Sequence, residues 1–268
     1  MIQGRVLVIA GSDSGGGAGI QADIKTITAL GAYAATAITA LTAQNTMGVF
    51  GIMPVPPDFI RQQIDVVMRD IGADVIKIGM LGDAATIDTV RAALAEYAPN
   101  VPVVLDPVMV AKGGQALLAE AAVDSLRRFL LPLSAVITPN LPEAEALTGL
   151  SIRTEADMHL AAKAILALGV PAVLLKGGHL DSDTVTDLLA TAAGIELFAA
   201  PRIPTRHTHG TGCTTASAVA AGLAQGMSLR DSVVRARAYV RAAISQAPGF
   251  GQGHGPLDHT VTVDAGRI

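Results

Sequence analysis

The chain has 268 residues, half of them hydrophobic, and a formal net charge of −4 at pH 7. This length and apolar content can supply a sizeable core, which a disordered chain lacks. The acidic balance excludes the basic surface that nucleic-acid binding needs, and the single cysteine excludes an internal disulfide framework and a multi-cysteine zinc site.

The first residues lead directly into a strand-like apolar run, without the charged, apolar and cleavage regions of a signal peptide. No apolar stretch reaches membrane-spanning length free of charges or glycine breaks. We therefore expect a soluble, cytoplasmic protein that binds neither a membrane nor nucleic acid.

Short apolar runs alternate with helical patterns along the whole chain. The strand-like runs cover residues 6–10, 35–41, 75–79, 101–105, 135–137 and 172–175. Apolar residues at helical spacing follow each run, for example Ile60, Ile64, Val67 and Ile71 after Pro57. Strands that are apolar throughout and separated by helices indicate a mostly parallel sheet buried on both faces. We predict one α/β domain over residues 1–268, with a hairpin or edge strands in residues 181–206.

Polar residues and one methionine follow the predicted strands at their carboxyl ends, where ligands bind in open α/β sheets. In chain order these are Asp13, Gln44, Met80, Asp106, Asn140 and Lys176. Their common placement predicts a site along one edge of the sheet.

The most informative stretch is residues 206–215, which runs into a helix of small residues. Gly210 and Gly212 flank Thr211 at the mouth of this helix, where free amides and the helix dipole suit a phosphate. Cys213 follows in or just before the first turn, where the same field is expected to lower the pKa of its thiol. The alternatives are a tight capping loop and a cysteine that serves as a small buried hydrophobe.

A second glycine-rich stretch covers residues 11–25 and opens a helix after a strand. It contains a weak dinucleotide fingerprint, but its first turn is long and no ribose-binding carboxylate follows at the expected distance. We interpret it as a glycine flap that closes over a substrate. The chain has no Walker motif, Gly-x-x-x-x-Gly-Lys-Ser/Thr.

Asp106 and Glu143 are carboxylates near the ends of neighbouring strands, and oxygen ligands of this kind bind Mg²⁺ together with nucleotide phosphates. Asn140 is equally suited to cap a helix, with Glu143 at the capping-box position, and Lys176 is either a phosphate ligand or a solvated lysine. His209 lies without a cysteine or carboxylate at metal-ligand spacing, so we expect it to pack or hydrogen-bond behind the glycine cradle.

Taken together, the motifs resemble the hydroxymethylpyrimidine/phosphomethylpyrimidine kinases of thiamine biosynthesis, which belong to the ribokinase-like superfamily. The resemblance rests on residues 10–23, 44–46, 106–109, 138–143, 176–179 and 209–213. It implies a three-layer α/β/α sandwich, a homodimer, and a requirement for ATP and Mg²⁺. It also implies two successive phosphorylations of 4-amino-5-hydroxymethyl-2-methylpyrimidine, to the monophosphate and then to the diphosphate.

The resemblance also assigns roles to individual residues. Gln44 would bond the aminopyrimidine edge, because its amide offers both a donor and an acceptor. The remaining substrate residues would be Asp23, Gly11, Ala18, Met80 and Met109. Asp106 and Glu143 would hold Mg²⁺, and the nucleotide would contact Asn140, Lys176, Thr211 and Gly212. The catalytic set would be Cys213, Lys176, Gly210 and Gly212.

Cys213 departs from the ribokinase-like sugar kinases, which usually have aspartate at this position, and agrees with the hydroxymethylpyrimidine kinases. A thiolate would then replace a carboxylate as the base. The nearest rival function is a pyridoxal kinase, followed by a hydroxyethylthiazole kinase. A non-catalytic ligand-binding regulator and an NAD-dependent oxidoreductase are alternatives from other classes.

Overall fold

A computed structural model describes residues 3–110, 114, 115, 117–264 and 266. The strands are β1 (Arg5–Asp13), β2 (Tyr33–Asn45), β3 (Gly48–Pro54), β4 (Val75–Ile78), β5 (Val103–Leu105), β6 (Val136–Ile137), β7 (Ala172–Leu175), β8 (Thr184–Thr191) and β9 (Gly194–Pro201). They form one sheet in the order β3-β2-β1-β4-β5-β6-β7-β8-β9. In this spatial order, neighbouring strands from β2 to β7 pair in parallel. At the edges, β3 pairs antiparallel with β2, and the β8–β9 hairpin pairs antiparallel with β7. The mostly parallel sheet and the hairpin in residues 181–206 are confirmed.

Helices cover both faces of this sheet. They are α1 (Gly19–Ala29), α2 (Pro57–Asp70), α3 (Ala84–Tyr97), α4 (Glu120–Ser125), α5 (Leu141–Thr148), α6 (Glu155–Leu166), α7 (Thr211–Ala224) and α8 (Leu229–Ser245). A π turn (Leu126–Leu130) and a 3-10 turn (Leu131–Leu133) extend α4. One apolar core contains residues of α2 to α6, and the other contains residues of α1, α7 and α8.

Strand β1 shows why both faces are apolar. Leu7 and Ile9 belong to the first core, whereas Val6, Val8 and Ala10 belong to the second. Successive side chains of a strand point to opposite faces, so a strand between two helical layers must be apolar at every position. The predicted three-layer α/β/α arrangement is confirmed.

The ends of two strands differ from the sequence prediction. Residues 11–13 extend β1, and Gln44 and Asn45 belong to β2 instead of following it. The reason is β3, which the sequence patterns did not predict: it pairs with β2 as far as Asn45 opposite Gly48 and keeps the polar residues extended. The apolar pattern ended the predicted strand at residue 41, but cross-strand pairing determines where β2 ends.

Candidate active site

A cleft of about 730 Å³ lies along the carboxyl edge of the sheet. It is lined by all but one of the residues assigned from the sequence: Gly11, Ala18, Gln44, Met80, Asp106, Met109, Asn140, Glu143, Lys176, Gly210, Thr211, Gly212 and Cys213. The first turn of α7 closes one side of it. The structure therefore brings the predicted substrate, phosphate and metal residues into one cavity.

Two glycines shape the mouth of α7. Gly210 is the N-cap, with φ +82, and a Cβ on it would lie 1.8 Å from the carbonyl oxygen of Gly17. A Cβ on Gly212 would lie 3.2 Å from Lys176 Nζ. Within the described chain no side chain caps this helix. The Thr211 amide donates to the Thr208 carbonyl oxygen at 3.3 Å, which leaves the Gly212 and Cys213 amides, with the helix dipole, at the cleft. The cradle thus combines a polarised helix end with a lysine cation.

Cys213 is the third residue of α7 and is half-buried in the cleft. The expectation of a lowered pKa is wrong: burial raises the pKa of the thiol to about 12, against the opposing effects of the Lys77 cation and the Gly19 amide. Cys213 lies within the first turn, where the helix dipole acts, so desolvation outweighs the dipole at this position. Cys213 is therefore a thiol near neutral pH in this structure.

Lys176 and Asp106 form an ion pair in the cleft, with Lys176 Nζ 2.9 Å from Asp106 Oδ1. The same oxygen accepts a hydrogen bond from Thr138 Oγ1 at 3.0 Å, whereas Asp106 Oδ2 faces Gly212, 3.6 Å from where a Cβ would lie. Burial would lower the pKa of Lys176, but the Asp106 and Glu143 carboxylates raise it, so the lysine remains a cation.

Asn140 and Glu143 form the capping box of α5. Asn140 N–H donates to Glu143 Oε2 at 2.8 Å, and Glu143 N–H donates to Asn140 Oδ1 at 2.9 Å. Burial raises the pKa of Glu143 to about 7 despite the nearby Lys176 cation. The capping alternative is thus confirmed, and Glu143 still lines the cleft beside Asp106.

The donor set fits Mg²⁺ better than a transition metal. No group of three or more histidine, cysteine or carboxylate side chains that could hold an ion occurs within the described residues. Mg²⁺ is commonly bound by only one or two carboxylates, with water and substrate phosphates completing its shell. Asp106 and Glu143 supply two carboxylates beside the anion cradle. A bound Mg²⁺ would lower the raised pKa of Glu143 and so favour its ionised form.

Asp13, which the sequence pattern placed at the edge of the sheet without a specific contact, anchors the glycine-rich loop. Asp13 accepts hydrogen bonds from the amides of Gly15, Gly17 and Ala18 at 2.8, 3.1 and 2.8 Å. His209 Nε2 lies 2.8 Å from Asp13 Oδ2 and is buried. The expected hydrogen bonding of His209 is confirmed, and His209 also lines the cleft. These contacts connect the glycine-rich loop to His209, which directly precedes Gly210.

The end of the cleft near Gln44 contains the polar and apolar groups predicted for the substrate. Gln44 Oε1 accepts a hydrogen bond from Thr42 Oγ1 at 3.1 Å, which orients its amide toward the cavity. Met80 and Met109 are buried apolar walls, and a Cβ on Gly11 would lie 2.5 Å from Met80 Cε. A side chain at position 11 would therefore require the Met80 methyl group to move.

Asp23 is the one assigned residue that does not line the cleft. Its side chain is fully buried, pairs with Lys77 Nζ at 2.9 Å and accepts a hydrogen bond from Ser217 Oγ at 2.7 Å. Asp23 therefore does not line the cleft as predicted, because Lys77 and α7 enclose it. Lys77, which does line the cleft, was missed although a lysine inside the run 75–79 was its signal.

The C-terminal glycine-rich tail packs against the end of β2. His254 N–H donates to the Thr46 carbonyl oxygen at 3.0 Å, and Gly253 N–H donates to Thr46 Oγ1 at 3.2 Å. His209 N–H donates to the Gly255 carbonyl oxygen at 3.1 Å. The tail, for which the sequence suggested only a loop, therefore braces both the Gln44 strand and the cradle.

Among the described helices none is long and apolar enough to span a bilayer. A family model described as phosphomethylpyrimidine kinase matches residues 13–258. The chain is 52% identical to a thiamine biosynthesis bifunctional protein of Geobacter sulfurreducens, over 98% of this chain and 53% of that protein. It thus spans about half the length of this relative.

One further relative and one solved structure are also similar to this chain. The chain is 50% identical to the hydroxymethylpyrimidine/phosphomethylpyrimidine kinase of Streptomyces coelicolor, over 95% of this chain and 93% of the relative. Among solved structures, the ADP complex of Bacillus subtilis pyridoxal kinase is similar with a TM-score of 0.90 and 38% identity, over 97% of this chain and 98% of that one. The fold is therefore shared by kinases with two kinds of substrate.

Proposed function

This chain belongs to the phosphomethylpyrimidine kinase family, and we propose that it uses ATP to phosphorylate 4-amino-5-hydroxymethyl-2-methylpyrimidine to its monophosphate and then to its diphosphate. These reactions belong to thiamine biosynthesis. The reaction class is phosphotransfer, so the regulator and oxidoreductase alternatives are set aside. We propose that residues 1–268 act as a single kinase domain in the cytoplasm.

One observation carries this proposal: the phosphate cradle, the paired lysine and the amide that suits the pyrimidine all face one cleft. Lys176 Nζ lies at the mouth of α7, close to Gly212, and Cys213 follows directly. Gln44 lines the same cavity from β2. The terminal phosphoryl group of ATP, held at the cradle, would then lie between the hydroxymethyl group that accepts it and the ADP that it leaves.

Phosphoryl transfer depends mainly on positioning and on stabilisation of negative charge. In the first step the hydroxymethyl oxygen forms a bond to the terminal phosphorus, the bond from that phosphorus to the ADP oxygen breaks, and the hydroxyl proton passes to the thiolate form of Cys213. The resting thiol must first lose its own proton to solvent, an ionisation that the Lys77 cation favours. The α7 amides and Lys176 stabilise the charge on the moving group. Mg²⁺, when bound with the nucleotide by Asp106 and Glu143, would neutralise phosphate charge.

The two steps differ in their need for a base. The alcohol of the first substrate must lose a proton, whereas the phosphate acceptor of the second is already ionised. We expect Cys213→Ala to lower kcat of the first step by about 10²–10⁴-fold, the usual range for general-base catalysis, and to affect the second step much less. Each step is measured as ADP release with its own substrate. Equal losses in the two steps would contradict the assigned role of Cys213.

The similarity to pyridoxal kinase favours one second candidate, the phosphorylation of pyridoxine-like alcohols. Side-by-side kcat/KM values for pyridoxal and for the pyrimidine alcohol decide between the two. A higher value for pyridoxal, together with absent activity on the pyrimidine monophosphate, would replace the proposed function.

The resemblance also implies a homodimer, which we propose as the assembly in solution. Strand β3 is a sheet edge with exposed large apolar side chains: Phe50 is 72% exposed and Met53 is 60% exposed. Exposed apolar patches of this kind mark interaction surfaces. Sedimentation at micromolar concentration should give twice the mass of the chain, and a monomer would contradict the proposal.

A further inference from the structure

Lys77 lies inside an apolar strand, and its side chain is fully buried. Its ammonium contacts Asp23 Oδ2 at 2.9 Å, and Asp23 is itself fully buried. The second oxygen of Asp23 accepts the hydrogen bond from Ser217 Oγ. The three side chains therefore connect β4, α1 and α7 through one carboxylate.

The surrounding residues fit the lysine closely. A Cβ on Gly79 would lie 2.9 Å from Lys77 Nζ and 3.0 Å from Ala10 Cβ, so a larger residue there would displace the ammonium. Burying two charges is costly, and well-packed apolar residues often serve stability equally well. A role in positioning and charge accounts for a lysine at this place better than stability does.

This group lies directly beneath the first turns of α7. Ser217 is four residues after Cys213, so the two side chains project from the same face of the helix. Lys77 and Cys213 both border the cleft, although the Lys77 side chain itself has no exposed surface. The charged groups near the thiol are Lys77 from β4, Asp23 from α1, Asp106 after β5 and Lys176 after β7. Among these, Lys77 opposes the effect of burial most strongly.

We propose that Lys77 is a positioning residue: through Asp23 and Ser217 it fixes the first turns of α7, and it places a permanent positive charge beneath the Cys213 thiol. Burial acts to lower the pKa of Lys77, but Asp23 holds it above its ordinary value, so the charge persists at every working pH. The catalytic use of that charge rests on the proposed function, in which Cys213 accepts a proton.

The lone cysteine provides a readout that needs no substrate. Cys213 is the only cysteine of the chain, so its rate of alkylation by iodoacetamide reports its thiolate alone. A neighbouring charge shifts a pKa by about 1–3 units, and a less basic thiol is also a weaker nucleophile. We therefore expect Lys77→Met to slow alkylation at pH 8 by about threefold or more and to move its pH profile upward.

Two variants separate charge from structure. Lys77→Arg keeps the charge and should restore alkylation to within about twofold of the wild type, whereas Lys163→Met, which removes an exposed lysine of α6, should leave it unchanged. If Lys77→Met does not fold, the Lys77→Met/Asp23→Asn double variant replaces it and should also be alkylated more slowly. Alkylation as fast as in the wild type, or faster because the site has loosened, overturns the proposal.

The result stands apart from the kinase assignment, because alkylation is measured without ATP. Slower alkylation in Lys77→Met, in a protein that fails to phosphorylate the pyrimidine, would keep the positioning role and reject the proposed function. Unchanged alkylation in a protein that phosphorylates the pyrimidine would reject the positioning role alone.

Discussion

Two lysine–aspartate pairs lie at the carboxyl edge of the sheet, and they differ in what surrounds them. The Lys77–Asp23 pair is fully buried, and Ser217 binds the second carboxylate oxygen. The Lys176–Asp106 pair faces the cleft, with the lysine side chain 14% exposed. Both have the same 2.9 Å separation, so distance does not distinguish them.

The difference lies in which partners can be exchanged. A pair enclosed by protein keeps its partners, because separation would leave an unpaired charge without water. A pair open to a cavity can separate when ligands bind, because the lysine can pair with an incoming phosphate and the carboxylate with a metal ion. Each group then gains a partner whose charge has the same sign as that of the partner it loses. We call Lys77–Asp23 the floor pair and Lys176–Asp106 the cleft pair. We infer that the floor pair maintains the geometry of α7, whereas the cleft pair takes part in ligand binding.

The largest expected effect comes from the floor pair. Lys77→Met leaves Asp23 buried without a cation, and removal of one partner from a buried pair costs about 3–5 kcal/mol. Urea denaturation should show this loss of unfolding free energy. The Lys77→Met/Asp23→Asn double variant should recover part of it, because no charge then remains unpaired. A loss below about 1 kcal/mol, the range of exposed pairs, would contradict the contrast between the two sites.

The cleft pair should respond in activity more than in stability. Lys176→Met removes a cation directed at the transferred group, and loss of one such stabilising group costs about 10²–10³ in kcat. Steady-state ADP release measures it, and thermal unfolding should shift less than in Lys77→Met. Lys163→Met is the control for a lost positive charge. Unchanged activity, or a larger loss of stability than in Lys77→Met, would reverse the assignment of the two pairs.

Glu143 sharpens the comparison through pH. The unfolded chain ionises this carboxyl near 4.5 and the folded chain near 7, so in that window the folded state binds more protons. Stability should therefore fall as pH rises from 4.5 to 7, by about 3 kcal/mol, and become flat above 7. Denaturation of the wild type and of Glu143→Gln at pH 5 and 8 checks this. An equal pH dependence in the two proteins would exclude Glu143 as its source.

The elements of the fold were predictable because the signals are local. Runs of apolar residues mark doubly covered strands, and polar residues at strand ends such as Asp106 and Lys176 must meet at one edge of a parallel sheet. Helix capping by Asn140 and Glu143 is also local, since both partners lie within one turn. The placement of residues after the predicted strands therefore identifies the edge at which the cleft lies, together with Asp13, Gln44, Met80, Asp106, Asn140 and Lys176 of its lining.

The long-range pairs were beyond the reach of such patterns. Asp13 and His209 are separated by 196 positions, and Asp23 and Lys77 by 54, so no periodicity links them. The pKa of Cys213 was predicted in the wrong direction for a related reason. Its place in the helix is visible in the sequence, but the burial that dominates comes from neighbours distant along the chain.

The hydrogen bond between Ser217 and Asp23 tests the floor pair with the smallest change. Ser217→Ala keeps both charges and removes one hydrogen bond to a buried carboxylate, which we expect to cost about 2 kcal/mol of unfolding free energy. Ser232→Ala in α8 is the matched control. The Ser232 hydroxyl donates to the carbonyl oxygen of Ser228, the N-cap residue of α8, and not to a carboxylate. Its loss should be about 1 kcal/mol or less. If the two substitutions cost the same by urea denaturation, the connection from Asp23 to α7 adds nothing beyond an ordinary hydrogen bond, and Lys77 with Asp23 would maintain α1 and β4 without holding the cradle.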